Sequence, residues 1–302
     1  MGDDAALVRP AAHRHILITT DLLIEGIDFN LGLSPFRQIG HKAMAANLSD
    51  IAAMGGIPRY AAVAMALPGR TRMKSVDLFY EGLMGLAKKY HVRLIGGDTS
   101  ASPHGVMVAL FLIGEVEPKR ALTRSGARLG DRIFVTGPLG DANAGLEILK
   151  RRKPHRSPLV RRHLYPIPRV KEGRLIATRR LATAMVDLSD GLGSDLRHLC
   201  EASGVGARID LARIPLSAAL SAYAKRMGRD PCRYALEGGE DFELLFTVRP
   251  SRVHELLRLQ SSGRLPAFSI GEITSKRHGI TIVGHDRRER KMTARGYEHF
   301  AE

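Results

Sequence analysis

The chain reads as a two-domain α/β (α+β) protein, and three observations carry that reading. Its 302 residues suffice for two domains of ordinary size and are too many for one small module. Short apolar runs of strand length alternate with segments whose apolar residues recur at helical spacing. A polar stretch rich in Arg and Gly, at 117–130, interrupts that alternation.

Taken in order, runs 15–20, 61–67, 92–95 and 106–116 read as strands of a first unit. Between them Met44, Leu48, Ile51 and Met54 share one helical face, as do Val76, Phe79, Leu83 and Leu86. Run 106–116 ends in Glu117-Pro118, and a second strand with a Gly-rich turn begins at Arg132. Run 182–186 is a further strand, followed by the helical pattern Leu192, Leu196, Leu199. The expected units are therefore 1–118 and 119–302, without internal repeats.

Composition excludes several classes. The chain is 44% hydrophobic and 25% charged, as a soluble globular protein is. No apolar run approaches the roughly 18–20 residues that cross a membrane. The opening Met1-Gly2-Asp3-Asp4 lacks the basic and apolar regions of a secretory signal, so a cytoplasmic location is expected. Cys200 and Cys232 have no metal-ligand spacing and read as ordinary thiols of a reducing compartment. The net charge of +15 is densest at 150–162, which suits either nucleic-acid phosphates or a solvated loop. No nucleic-acid-binding signature accompanies it and aromatics are 5%, which favours the loop.

The acids are the informative residues in this basic chain. Asp21, Asp98 and Asp187 each follow a predicted strand, and Asp50 shares a helical face with Asn47. Taken singly, each reads more readily as a helix cap or turn closure; Ser189 and Asp190 suit a cap before Leu192 especially well. Brought together, they would repel one another unless cations intervened, and hard oxygen donors select Mg²⁺ or Ca²⁺. Gly96-Gly97-Asp98, Gly191-x-Gly193 and Gly238-Gly239-Glu240-Asp241 place side-chain-free backbone beside carboxylates, where a polyphosphate can approach. There is no P-loop, no dinucleotide-binding fingerprint, no paired-histidine zinc motif and no serine-hydrolase elbow.

The segments GDDAA (2–6), TTDLLIEGIDF (19–29), NLSDIAAMGG (47–56), GGDTS (96–100), DLSDGL (187–192) and EGGEDFELLF (237–246) resemble, in order, those of thiamine-monophosphate kinases. That resemblance implies a two-domain fold like aminoimidazole ribonucleotide synthetase, with mixed sheets flanked by helices, in a homodimer. It implies transfer of the ATP γ-phosphoryl group to thiamine monophosphate with several Mg²⁺ ions. Matched by motif, Asp4, Thr19, Thr20, Asp21, Asp50, Asp98 and Asp187 are the implied metal set, with Asp190 as a further ligand. Tyr80, Gly97, Asp98, Arg124 and Ser189 match nucleotide contacts. For Tyr80 a core-packing role and for Arg124 a plain surface role remain open. Asp28, Glu240 and Tyr297, with Phe300 as an alternative to Tyr297, match positions near the thiamine moiety. No general base is implied, because the acceptor phosphate is already ionised. The chain begins inside the first motif, where relatives carry a preceding segment, and Asp28 stands where many relatives have His. A related enzyme acting on another acceptor, and a nucleic-acid-binding protein using 150–162, are the alternative readings.

Overall fold

The computed structural model describes residues 10–151, 156–293 and 296. Its first sheet contains β1 (His15–Ile24), β2 (Ile57–Leu67), β3 (Arg93–Ala101) and β4 (Met107–Val116), in the order β1-β4-β2-β3. β4 is antiparallel to β1 and β2, whereas β2 and β3 are parallel. Along β1 and β4 side chains alternate between faces. Leu17, Leu23, Val108, Leu110 and Leu112 face the core, beneath α1 (Phe36–Ala53) and α2 (Met73–Lys89). The two helices approach closely at reciprocal glycines. A Cβ on Gly40 would lie 2.0 Å from the Phe79 carbonyl oxygen, and one on Gly82 would lie 1.8 Å from that of Arg37. Among the described residues nothing covers the other face of the sheet: Ile18 is 74% exposed and Leu22 56%, beside exposed Ile16, Met107 and Phe111.

The second sheet contains β5 (Arg132–Val135), β6 (Ala182–Asp187), β7 (Gly206–Asp210), β8 (Leu244–Val248), β9 (Phe268–Thr274), β10 (Ile280–Val283) and β11 (Glu289–Lys291). Their order is β11-β10-β7-β9-β5-β8-β6, with β7 and β10 parallel and the other pairs antiparallel. Helices α3 (Asp141–Lys150), α4 (Pro158–Leu164), α5 (Val170–Thr178), α6 (Leu192–Ser203), α7 (Ala218–Met227), α8 (Pro231–Glu237) and α9 (Pro250–Ser261) complete it. The two sheets share one apolar core, in which Phe134, Met185 and Phe246 join Met44 and Leu48 of α1. α5 seals the junction: a Cβ on Gly173 would lie 2.1 Å from the Ala52 carbonyl oxygen, and Arg174 bonds to Gly55 and Glu117.

All six sequence-predicted strands form; β2 begins earlier, at Ile57, β6 takes in one further residue, and β1 and β3 run several residues past their apolar runs. β1 extends through Asp21 to Ile24, and β3 extends through Asp98 to Ala101. Asp21 and Asp98 therefore lie inside strands rather than after them. Backbone pairing explains this: Asp21 registers with Leu110 and Asp98 with Ala64, so the ladder continues where side-chain hydropathy stops. Asp187, in contrast, is the last residue of β6. The expected Ser189/Asp190 cap of α6 is also corrected. Gly191 occupies the N-cap at φ 109°, and Asp195 Oδ2 accepts from the N–H groups of Asp190 (3.2 Å) and Gly191 (3.1 Å). In the basic segment, Arg162 turns inward to Glu243 at 2.6 Å.

Candidate functional site

Three elements bring oxygen donors together where the two sheets meet. β1 supplies Thr19 and Asp21, the C-terminal part of α1 supplies Ser49 and Asp50, and β6 ends on Asp187. Strand alternation puts Thr19 and Asp21 on the core side with Leu17 and Leu23. The Thr19 hydroxyl donates to the Asp50 carboxylate. The Ser49 hydroxyl donates to Asp187 Oδ2 at 2.7 Å. Beside them lies a cleft of about 540 Å³, lined by Thr19, Asp50, Thr123, Arg124 and Asp187.

Burial and mutual repulsion dominate the electrostatics. Burial first, then the charges of Asp50, Asp187 and Asp28, push the Asp21 carboxyl up to about 7. Asp187 is pushed up to about 7 by burial and Asp50, against the Ser49 bond and the Arg124 charge. Burial also raises Asp50, against Thr19 and Arg124. Asp21 Oδ2 is buried without a hydrogen-bond donor among the described residues. An orphaned carboxylate oxygen among like charges, with hydroxyls alongside, fits a hard divalent cation such as Mg²⁺. Arg124, exposed at the rim, is the cation whose charge reaches both Asp50 and Asp187.

The remaining sequence-selected residues fall in four places. Asp28 sits by Asp21 and closes its own turn by accepting from the Ile24 N–H at 2.8 Å. Ser189 accepts from the Glu240 N–H at 2.7 Å, which ties the 187–192 segment to the Gly-Gly-Glu-Asp loop. Gly239 permits this contact, since a Cβ there would lie 2.1 Å from the Ser189 carbonyl oxygen. The charge of Asp190 reaches Asp195. Tyr80 is half-buried on α2, edge-on to Phe79 at 5.4 Å.

Asp98 and Thr20 are not brought to this cluster within one chain. Register places Asp98 in a row with Ala64, Ala109 and Leu22, on the uncovered face. Thr20 alternates onto the same face. Gly97 pairs with Val63 on the core side, and a Cβ there would meet the Val63 carbonyl oxygen at 2.2 Å. Thr20 and Asp98 lie on the two edge strands, β1 and β3, three strand spacings or about 14 Å apart across the sheet. Asp4, Tyr297 and Phe300 lie outside the described residues.

Three residues at or beside the site, Asp195, Lys42 and His163, escaped the sequence reading. Asp195 is buried and pushed up to about 8 by burial, then by Asp187 and Asp190. A signal existed, because Asp195 lies three residues after Leu192 and four before Leu199, on the apolar face of the helix. Lys42, buried on α1, contacts Glu240 at 2.6 Å, and His163 Nδ1 approaches the same carboxylate at 3.0 Å. Burial alone would raise Glu240, but Lys42 and His163 outweigh it and hold the carboxyl at about 2. Nothing local in the sequence marks that pairing.

The chain is similar in sequence and fold to known proteins. Residues 2–116 match the AIR synthase related protein N-terminal domain, and residues 128–284 match the corresponding C-terminal domain. The Escherichia coli (strain K12) thiamine-monophosphate kinase is 40% identical over 306 aligned positions, covering 100% of this chain and 91% of the relative. That of Aquifex aeolicus is 37% identical, covering 99% and 92%. The solved structure of AaThiL complexed with AMPPCP and TMP superposes with a TM-score of 0.85 at 36% identity, covering 99% and 92%. Hydrogenase maturation protein HypE, at 17% identity and a TM-score of 0.79, shares the fold. The chain therefore belongs to the AIR synthase related family and, within it, to the thiamine-monophosphate kinases.

Proposed function

We propose that this chain transfers the γ-phosphoryl group of ATP to thiamine monophosphate, yielding thiamine diphosphate and ADP. The observation that carries the proposal is the group Thr19, Asp21, Asp50 and Asp187, with an orphaned buried oxygen and raised carboxyls. These residues would hold Mg²⁺, with Asp4 and Asp190 as further ligands of the same set. Bound Mg²⁺ supplies charge neutralisation between two polyanions. A phosphate oxygen of the acceptor forms a bond to the γ-phosphorus, and the bond to the β–γ bridging oxygen breaks with ADP as leaving group. That oxygen is already ionised near neutral pH, so no residue is assigned as a base. The chain contributes position and charge: Arg124 faces the triphosphate, with Ser189, Gly97, Asp98 and Tyr80 as nucleotide contacts. Asp28, Glu240 and Tyr297 lie on the acceptor side in this reading, and the two units meet at 118/119.

The uncovered apolar face of the first sheet supports a homodimer, and Asp98 and Thr20 share that face. Among the described residues no helix is long and apolar enough to cross a membrane. With Cys200 and Cys232 buried as free thiols, this supports a cytoplasmic location. The direct test incubates the protein with ATP, Mg²⁺ and thiamine monophosphate and measures thiamine diphosphate. Turnover of a different acceptor, with none of that product, would overturn the proposal.

A further inference from the structure

A second cavity, of about 660 Å³, opens where the 119–122 segment passes the end of α5 and the start of α9. Among the described residues its lining contains six cationic side chains, Lys119, Arg120, Arg179, Arg180, Arg249 and Arg252, and no carboxylate. Two of them have structural duties. Arg120 caps the end of α5 by donating to the Thr178 carbonyl, and Arg252 donates to the Arg179 carbonyl at 2.7 Å while pairing with Glu255. Those contacts neutralise the carbonyls that would otherwise repel an anion there.

The other four have no acidic partner among the described residues. This contrasts with Arg14, Arg59, Arg132, Arg162, Arg169, Arg174, Arg208 and Arg229, all of which are ion-paired. Four like charges around one concavity repel one another and raise the local potential toward anions. Lys119 (φ 63°) and Arg180 (φ 53°) also hold left-handed backbone conformations that long side chains rarely adopt, which fixes where both leave the chain.

We propose that this cavity is a binding site for a small phosphorylated molecule, separate from the Asp21–Asp50–Asp187 cluster. Guanidinium groups match phosphate oxygens in bidentate pairs, and the volume suits a ligand of diphosphate to nucleotide size. A concave pocket of this size does not track a nucleic-acid backbone, which needs an extended basic stripe. Bound there, the anion would bridge Lys119, on the segment joining the two sheets, to Arg179 and Arg180 at the end of α5 and Arg249 at the start of α9.

Calorimetric titration with inorganic pyrophosphate in EDTA tests this, because the metal-free acid cluster repels the same anion. Binding is expected in the unaltered protein. Arg180→Glu and Arg249→Glu should each weaken it at least about tenfold, since each reverses a charge that contacts phosphate. Arg124→Ala, at the other cleft, should leave it unchanged. Thermal unfolding of each variant should remain near that of the parent, because the reversed residues are exposed and unpaired. Absence of binding, equal affinity in the reversal variants, loss in Arg124→Ala, or displacement by an equimolar duplex oligonucleotide would overturn the proposal.

Discussion

Ser49 on α1 and Asp187 at the end of β6 are joined by a 2.7 Å hydrogen bond that crosses from the first sheet's helix to the second sheet. Both residues are buried, so the bond aims the Asp187 carboxylate and is also part of the seam between the two units. Ser49→Ala removes the donor and leaves a buried carboxylate less well satisfied. A stability loss of about 1–2 kcal/mol is expected, read from denaturant unfolding. Phosphoryl transfer should fall further than stability explains, with Ser49→Thr restoring much of it. An Ala variant with unchanged turnover at saturating Mg²⁺ would show that the bond is purely structural.

Asp21 carries the sharpest electrostatic prediction. Its carboxyl is raised in the folded state to about 7, so the folded protein holds that proton more tightly than the unfolded chain. The contribution to stability is full below the ordinary carboxylate range and is lost as pH rises through about 7. Asp187 and Asp241, also raised to about 7, act in the same direction. Glu117 and Glu240, held at about 2, lose their contribution only at lower pH, outside this window. Asp195, raised to about 8, extends the fall, and these carboxyls together outweigh the opposite effect of the lowered His41 and His163, so metal-free protein should show a Tm that falls between about pH 4 and 8, with Mg²⁺ reversing much of the fall. Asp21→Asn should flatten the metal-free slope, hold or raise Tm at pH 7, and reduce transfer by a factor of at least about 100. A variant with an unaltered slope would place the strain elsewhere.

How far the sequence reveals this site depends on which physical force places each residue. Strands 15–20 and 182–186 were visible because core burial writes itself into hydropathy, and Asp187 follows from the second of them. Asp21 and Asp98 were located by neighbouring apolar runs, yet their strands continue because Leu110 and Ala64 supply pairing partners. Backbone ladders leave no mark in composition, so the ends of β1 and β3 were misjudged. Edge strand β3 thus carries Asp98 away from Asp21, although both fit one motif order. Strands β7, β10 and β11, of five, four and three residues, are too short to carry a long apolar run. Lys42 and Glu240 are 198 positions apart, and only tertiary packing could join them.

That pair gives the next prediction. Lys42 is 4% exposed and its ammonium meets Glu240 Oε1 at 2.6 Å, with His163 on the other oxygen. Lys42→Met leaves the carboxylate facing a neighbouring thioether chain. Breaking a buried pair costs about 3–5 kcal/mol, but Glu240 retains partial solvent contact, so about 2 kcal/mol is expected. Lys42→Met combined with Glu240→Gln should recover much of that loss, since no uncompensated charge remains. Denaturant unfolding of the two singles and the double closes the cycle. Strict additivity would mean the pair does not interact.

The uncovered face of the first sheet supplies the last prediction. Ile16, Ile18 and Leu22 project from edge strand β1, next to Met107 and Phe111 of β4. An exposed apolar row on an edge strand invites pairing with another chain unless a partner covers it. Ile18→Asp places a charge at the centre of that row while adding none to the core, because Ile18 is 74% exposed. Sedimentation should show a dimer for the parent protein and monomer for Ile18→Asp at micromolar concentration. Leu129→Asp is the matched control, being 73% exposed but away from this sheet, and should leave the mass unchanged. If dimerisation completes the site, Ile18→Asp should also lose transfer in proportion to the monomer fraction, with recovery at higher protein concentration. Full activity in a monomer would separate the face from catalysis, and a monomeric parent protein would exclude this face as a self-association surface.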